Sequence, residues 1–275
     1  MNSLCIVIAL ACYAGSSGCF FYGRGSGARR ILLSGIGLLG AGALFDLVYL
    51  VAAGLQAGNL PVSNFAQSLT FLALLVALMG FGLIARLHAR VIGIVIAPAV
   101  TIASAAAYML ERHGRIVLPE TLRSGWLPVH VTLALLGYAL FLLSAGVSLL
   151  YLIYESRLKA KRPLPGPGEW VPSLETLDRI NYRLLGWGFA MLSLAIVTGA
   201  IWADATWGHF WSWEPQESWS LITWILYAGL LESRLTVGWR GRRAAALTIA
   251  VFTVLVGSFL GVSLIHPGHH GGNFD

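Results

Sequence analysis

Residues 65–86, FAQSLTFLALLVALMGFGLIAR, contain no charged side chain before Arg86. A bilayer core about 30 Å thick is crossed by roughly 20 helical residues, so this stretch is long enough to span a membrane. Seven further apolar stretches flank it, at 3–22, 31–55, 91–109, 129–154, 182–203, 217–235 and 243–265. The whole chain has 275 residues, of which 57% are hydrophobic and only 11% charged. A soluble domain carries about 25% charged residues, so a water-surrounded globule is excluded. The expected fold is an all-α integral membrane protein with eight transmembrane helices, forming a single domain over residues 1–275.

The charges between the stretches orient them. Fifteen of the 18 Lys and Arg residues fall in, or at the edges of, the connections after the first, third, fifth and seventh stretches; Arg112, Arg115 and Arg123 are the exceptions. Cytoplasmic loops carry the excess of Lys and Arg, which places both termini outside. The net charge of +6 is then this bias, not the footprint of a nucleic-acid partner. Residues 1–22 have no basic residue before their apolar core, as a cleaved signal would require, so they read as a retained helix. Cys5, Cys12 and Cys19 recur every seven residues on one face of it and read as packing residues. With no C-x-x-C pair, neither a thiol redox centre nor a cysteine zinc site is implied. KAKRPLPGPG, residues 159–168, is the main cytoplasmic connection, basic enough to suit an anionic inner leaflet of the lipid bilayer.

That orientation sorts the histidines. His88 lies on the inner side, whereas His113, His130, His209, His266, His269 and His270 fall at or beyond the outer face. Between the sixth and seventh stretches runs WADATWGHFWSWEPQESW, residues 202–219, with five of the ten tryptophans and three acids, Asp204, Glu214 and Glu217. It is expected to be an external Trp-rich helix or loop. Trp207 and Trp211 are four residues apart, which on a helix places both rings on one side. An aromatic belt at the headgroups and a platform for a flat ligand both account for tryptophan here; interleaved acids favour the platform. Histidines on the same surface suit haem iron, and two from separate helices could clamp it. A zinc site from His266, His269 and His270 is the competing metal reading.

WGHFWSWEPQESWSLITWILYAGLLESRL, residues 207–235, resembles the tryptophan-rich "WWD" motif of the cytochrome c assembly superfamily, most closely its CcsA/ResC branch of system II. Trp207, Gly208, Trp211, Trp213, Pro215, Glu217, Trp219, Leu221, Ile222, Thr223 and Trp224 match the pattern. His130, in WLPVHVTLALLGYALF, and His266, in LIHPG, resemble the two external histidines that bracket the motif. The resemblance implies a haem-handling subunit of a cytochrome c synthase in the cytoplasmic (inner) membrane, with its haem site on the periplasmic side. It implies haem b held by His130 and His266, with Trp207, Trp211 and Trp213 as the platform. It also implies a CcsB/ResB-type membrane partner and apocytochrome c as client. No residue reads as a nucleophile or general base, so the implied role is positioning. The alternative is a HemX-like regulatory or scaffold protein of the same superfamily.

Three positions depart from the pattern. Glu214 stands where the motif has Asp, Gln67 where NxxES would have Glu, and Glu232 where a membrane histidine is usual. One haem at the outer face is therefore expected, and none at an inner site of the usual kind. Glu232 is expected to ion-pair with Arg234 at the membrane surface. Asp46, in GALFDLVYL, sits at mid-membrane depth, where an acid defaults to a functional hypothesis; a hydrogen bond to a nearby Ser, Thr or Tyr is the structural alternative.

Overall fold

The computed structural model describes residues 2–26, 28–57, 62, 64–87, 90–112, 125–162 and 172–265. Among them are eight α-helices and no strand: α1 (Asn2–Ser26), α2 (Arg29–Ala57), α3 (Phe65–Leu87), α4 (Gly93–Arg112), α5 (Trp126–Lys159), α6 (Leu174–Trp207), α7 (Pro215–Leu235) and α8 (Arg242–Ile265), with a 3₁₀ turn at Arg90–Ile92. An all-helical build follows from the medium, since a helix satisfies its own backbone hydrogen bonds where water is absent. Hydroxyls inside the helices follow suit, as with Thr70 bonding Ala66 O and Thr248 bonding Ala244 O. Seven helices are long and apolar enough to cross a membrane. The exception, α7, carries Glu217, Glu232 and Arg234 within its 21 residues, so the eight expected crossings are met by seven on length and composition.

The longest departure from the expected boundaries is at the start of α6. It begins eight residues earlier than the apolar stretch, because the Ser173 hydroxyl accepts the Thr176 N–H at 3.2 Å and caps an extra two turns. At 34 residues the helix runs about 50 Å at 1.5 Å per residue, well beyond a bilayer core.

The chain divides into two compact units, residues 1–115 with 150–177 and residues 116–149 with 178–275. In the first, α1 packs along α2 and α4, and α3 along α4 and α2. The Tyr13 ring lies directly on Gly42, where a Cβ would come within 2.5 Å of it. That seat lets the Tyr13 hydroxyl donate to Asp46 Oδ2 at 2.7 Å. Asp46 is fully buried, and the phenol is thus the hydrogen-bond partner the sequence left open. Further along α2, Tyr49 donates to Glu111 Oε2 at 3.2 Å.

The second unit packs α5 to α8 around Phe141, Leu185, Leu192, Tyr227, Leu230, Val251 and Leu255. Phe141 and Tyr227 stack at 3.6 Å between centroids, 7° apart in plane. A polar cluster ties the same four helices together. Asn181 donates to the hydroxyls of Ser144 (3.0 Å), Ser148 (2.6 Å) and Thr248 (3.2 Å). Arg234 donates to Asn181 Oδ1 at 2.8 Å and to Asp178 Oδ2 at 2.9 Å. This corrects the expected pairing of Glu232 with Arg234. Residues two apart on a helix point to different sides, so Arg234 turns inward to Asp178 while Glu232 is exposed.

Candidate functional site

The segment 202–219, expected as an external Trp-rich helix or loop, is divided by the structure. Trp202 and Trp207 belong to α6, Trp219 belongs to α7, and only residues 208–214 connect them. Two residues impose the division. Gly208 has φ +79°, the left-handed conformation that ends helices at little cost for glycine. Pro215 occupies the first position of α7, where a missing N–H costs nothing. Because the helix stops at Trp207, the helical spacing that would have set Trp207 and Trp211 on one side does not apply.

The connecting turn is tightly specified. Trp213 has φ +59°, a backbone conformation costly for a residue with a side chain and typical of functional sites. Trp213 is 71% exposed. The turn is held by Glu217 in the first turn of α7, whose Oε2 accepts from the Ser212 backbone N–H at 2.8 Å and from its hydroxyl at 3.1 Å. Ser218 donates to Trp213 O at 3.3 Å. Glu214 is the N-cap residue of α7 and makes no side-chain capping bond. Glu217, a motif match to which the sequence attached no role, thus orders this backbone.

His130 lies in the second turn of α5 and is held against α6. Its Nδ1 is 2.7 Å from the carbonyl oxygen of Ala195, and its ring stacks on Trp202 with centroids 6.2 Å and planes 12° apart. A carbonyl can only accept, so Nδ1 carries a proton, and in the neutral imidazole Nε2 then keeps its lone pair. A histidine fixed in this way is the usual arrangement for a metal ligand. From Trp202 the aromatic contacts continue to Trp207 (4.9 Å, 66°) and from Trp207 to His209 (6.4 Å, 20°). Trp211 meets Trp213 edge-on at 5.9 Å.

Of the sequence-predicted site residues, the structure thus joins His130 to the end of α6 through Trp202. Trp207, Gly208, Trp211, Trp213, Glu214 and Pro215 form the continuous segment beside it. His266 lies outside the described residues, as do His269 and His270. The Ala195 carbonyl and the Trp202 stack were not anticipated; backbone acceptors leave no mark in a sequence, although Trp202 and Ala195, seven apart, share a helix face.

The residues present fit a haem. An imidazole whose Nε2 has no hydrogen bond among the described residues, several broad aromatic faces, and two buried polar atoms without a partner among the described residues, Trp211 Nε1 and Thr206 Oγ1, make a donor set suited to a large flat ligand with polar groups at its edge. No cluster of three or more metal-ligating side chains occurs among the described residues.

The fold and the aromatic segment define a multi-pass helical membrane protein with half of its tryptophans at one helix–turn–helix junction. Residues 62–270 match the family described as Cytochrome C assembly protein, and the chain belongs to that family, within its CcsA branch. It is 32% identical to the cytochrome c biogenesis protein CcsA of Synechococcus sp. (strain JA-2-3B'a(2-13)) over 91% of this chain and 89% of that protein. It is 33% identical to the CcsA of Chlamydomonas reinhardtii over 86% of this chain and 67% of that one. Among solved structures, a chain named cytochrome c heme lyase CcmF shares the fold with a TM-score of 0.66 at 18% identity, covering 99% of this chain and 52% of that one. The present chain thus spans about half the length of that structure.

Proposed function

We propose that this protein is the haem-holding membrane subunit of a system II cytochrome c synthase, presenting haem b at the outer face of the cytoplasmic membrane for attachment to apocytochrome c. When bound, haem supplies the vinyl groups to which the apocytochrome thiols add. His130 offers Nε2 to the iron, with its ring held by the Ala195 carbonyl and Trp202. Trp207, Trp211 and Trp213 pack the macrocycle by area burial and stacking, and Glu217 holds their turn in shape. His266 is the second ligand implied by the sequence resemblance, and a CcsB/ResB-type protein is the partner. In this reading α7 is the eighth crossing and both termini are outside. That returns α8 to the side on which α6 ends.

The observation that carries the reading is the His130 geometry beside the motif: one ring nitrogen committed to a backbone acceptor, the other left for a metal. Support also comes from the relatives, which are named for cytochrome c biogenesis. The test is the absorbance of the purified protein. His130→Ala and His266→Ala are each expected to lose or weaken the low-spin haem bands, and added imidazole to restore them by filling the vacant position. Parent spectra in both variants would rule out the ligand assignment.

A further inference from the structure

We infer that Gly199 is a positioning residue for the iron-facing nitrogen of His130; the inference rests on His130 being the haem ligand. Ala195, Gly199 and Trp202 are four and three residues apart on α6 and lie on one stripe of it. In a helix the carbonyl of residue 195 faces the N–H of residue 199, whose Cβ ordinarily shields that carbonyl from approach. At Gly199 there is no Cβ. The His130 ring enters the space this leaves and reaches the Ala195 oxygen at 2.7 Å. A Cβ at 199 would lie 2.7 Å from both Nδ1 and Cε1 of the imidazole, closer than such atoms approach, so the ring would have to move. Trp202 covers the imidazole as a stacked neighbour, so moving it gives up either the carbonyl bond or the stack. Gly199 therefore determines which nitrogen is protonated and where Nε2 points, without touching the haem.

Gly186, on the same helix, provides the control, since a Cβ there meets nothing within 4 Å. The experiment is haem titration of the full-length protein in detergent, read as affinity and as the low-spin spectrum. Gly199→Ala is expected to weaken haem binding about 10- to 100-fold, the usual effect of disturbing a ligand's outer partners. Imidazole is expected to restore the low-spin spectrum, which a general packing defect would not allow. Gly186→Ala is expected to match the parent. If Gly199→Ala fails to accumulate, adding His130→Ala removes the clashing ring and should restore accumulation to the level of His130→Ala alone. The inference is overturned by a parent-like Gly199→Ala where His130→Ala loses haem, or by a double variant that still fails to accumulate. A parent-like His130→Ala overturns the ligand assignment itself, and the role of Gly199 with it.

Discussion

The two units each fold around an acid, and they stabilise it by opposite means. In the first, Asp46 is fully buried and its partner is a neutral phenol, Tyr13; its second oxygen, Oδ1, has no partner among the described residues. In the second, Asp178 keeps 18% of its side chain exposed and pairs with the guanidinium of Arg234, itself 4% exposed. Its other oxygen accepts the Gly241 N–H at 3.0 Å. An ion pair taken wholly out of water repays its desolvation only with excellent geometry and further hydrogen bonds. Asp178 and Arg234 have both those bonds and some contact with solvent. Asp46 has neither, and an uncharged donor is the partner that such a site tolerates. The depth at which an acid is buried thus selects the chemistry of its partner.

The sharpest way to break this contrast is to remove the cation. Arg234→Met leaves Asp178 Oδ2 and Asn181 Oδ1 without the Arg234 donor, and the loss of one member of such a pair is expected to cost about 3 kcal/mol. Thermal unfolding in detergent is the measurement. A variant as stable as the parent would mean that the pair contributes nothing to the second unit.

A smaller effect is expected in the first unit. Tyr13→Phe deprives Asp46 of its hydrogen bond and is expected to cost about 2 kcal/mol, the penalty of an unsatisfied buried polar group. Asp46→Asn keeps an acceptor for the phenol and is expected to cost less. Should Asp46→Asn prove the more damaging of the two in the same unfolding assay, the charge or proton of Asp46, rather than its hydrogen bond, is what the unit needs.

The smallest effect concerns the turn at the candidate site, where a half-buried acid acts on backbone. Glu217→Gln retains one acceptor oxygen for Ser212 but loses charge assistance, worth about 1 kcal/mol. Its signature is local: faster hydrogen exchange at the Ser212 amide with little change in global unfolding. An unchanged exchange rate at Ser212 would show that the turn holds itself.

Much of this architecture was legible in the chain. Apolar stretches of about 20 residues dictate helices in a bilayer whatever their neighbours, because the backbone must satisfy itself there. The density of tryptophan after residue 202, with Gly208 and Pro215 inside it, marked the junction of two helices. Its limits were misjudged because composition continues across a helix end, whereas φ at Gly208 does not. Glu232 and Arg234 looked like a pair on adjacency alone; helical rotation sends them apart.

What the order of residues could settle was what local chemistry governs: the apolar helices, the charge asymmetry and the motif. Only the packed structure could decide partners, since these are separated by tens of residues and depend on which faces meet. Tyr13 finds Asp46 across 33 positions, Arg234 finds Asp178 across 56, and His130 finds the Ala195 carbonyl across 65. A carbonyl has the same chemistry at every residue, and a glycine gives no sign of what will occupy the space it leaves. Three-dimensional approach alone turns Ala195 and Gly199 into the seat of the His130 ring.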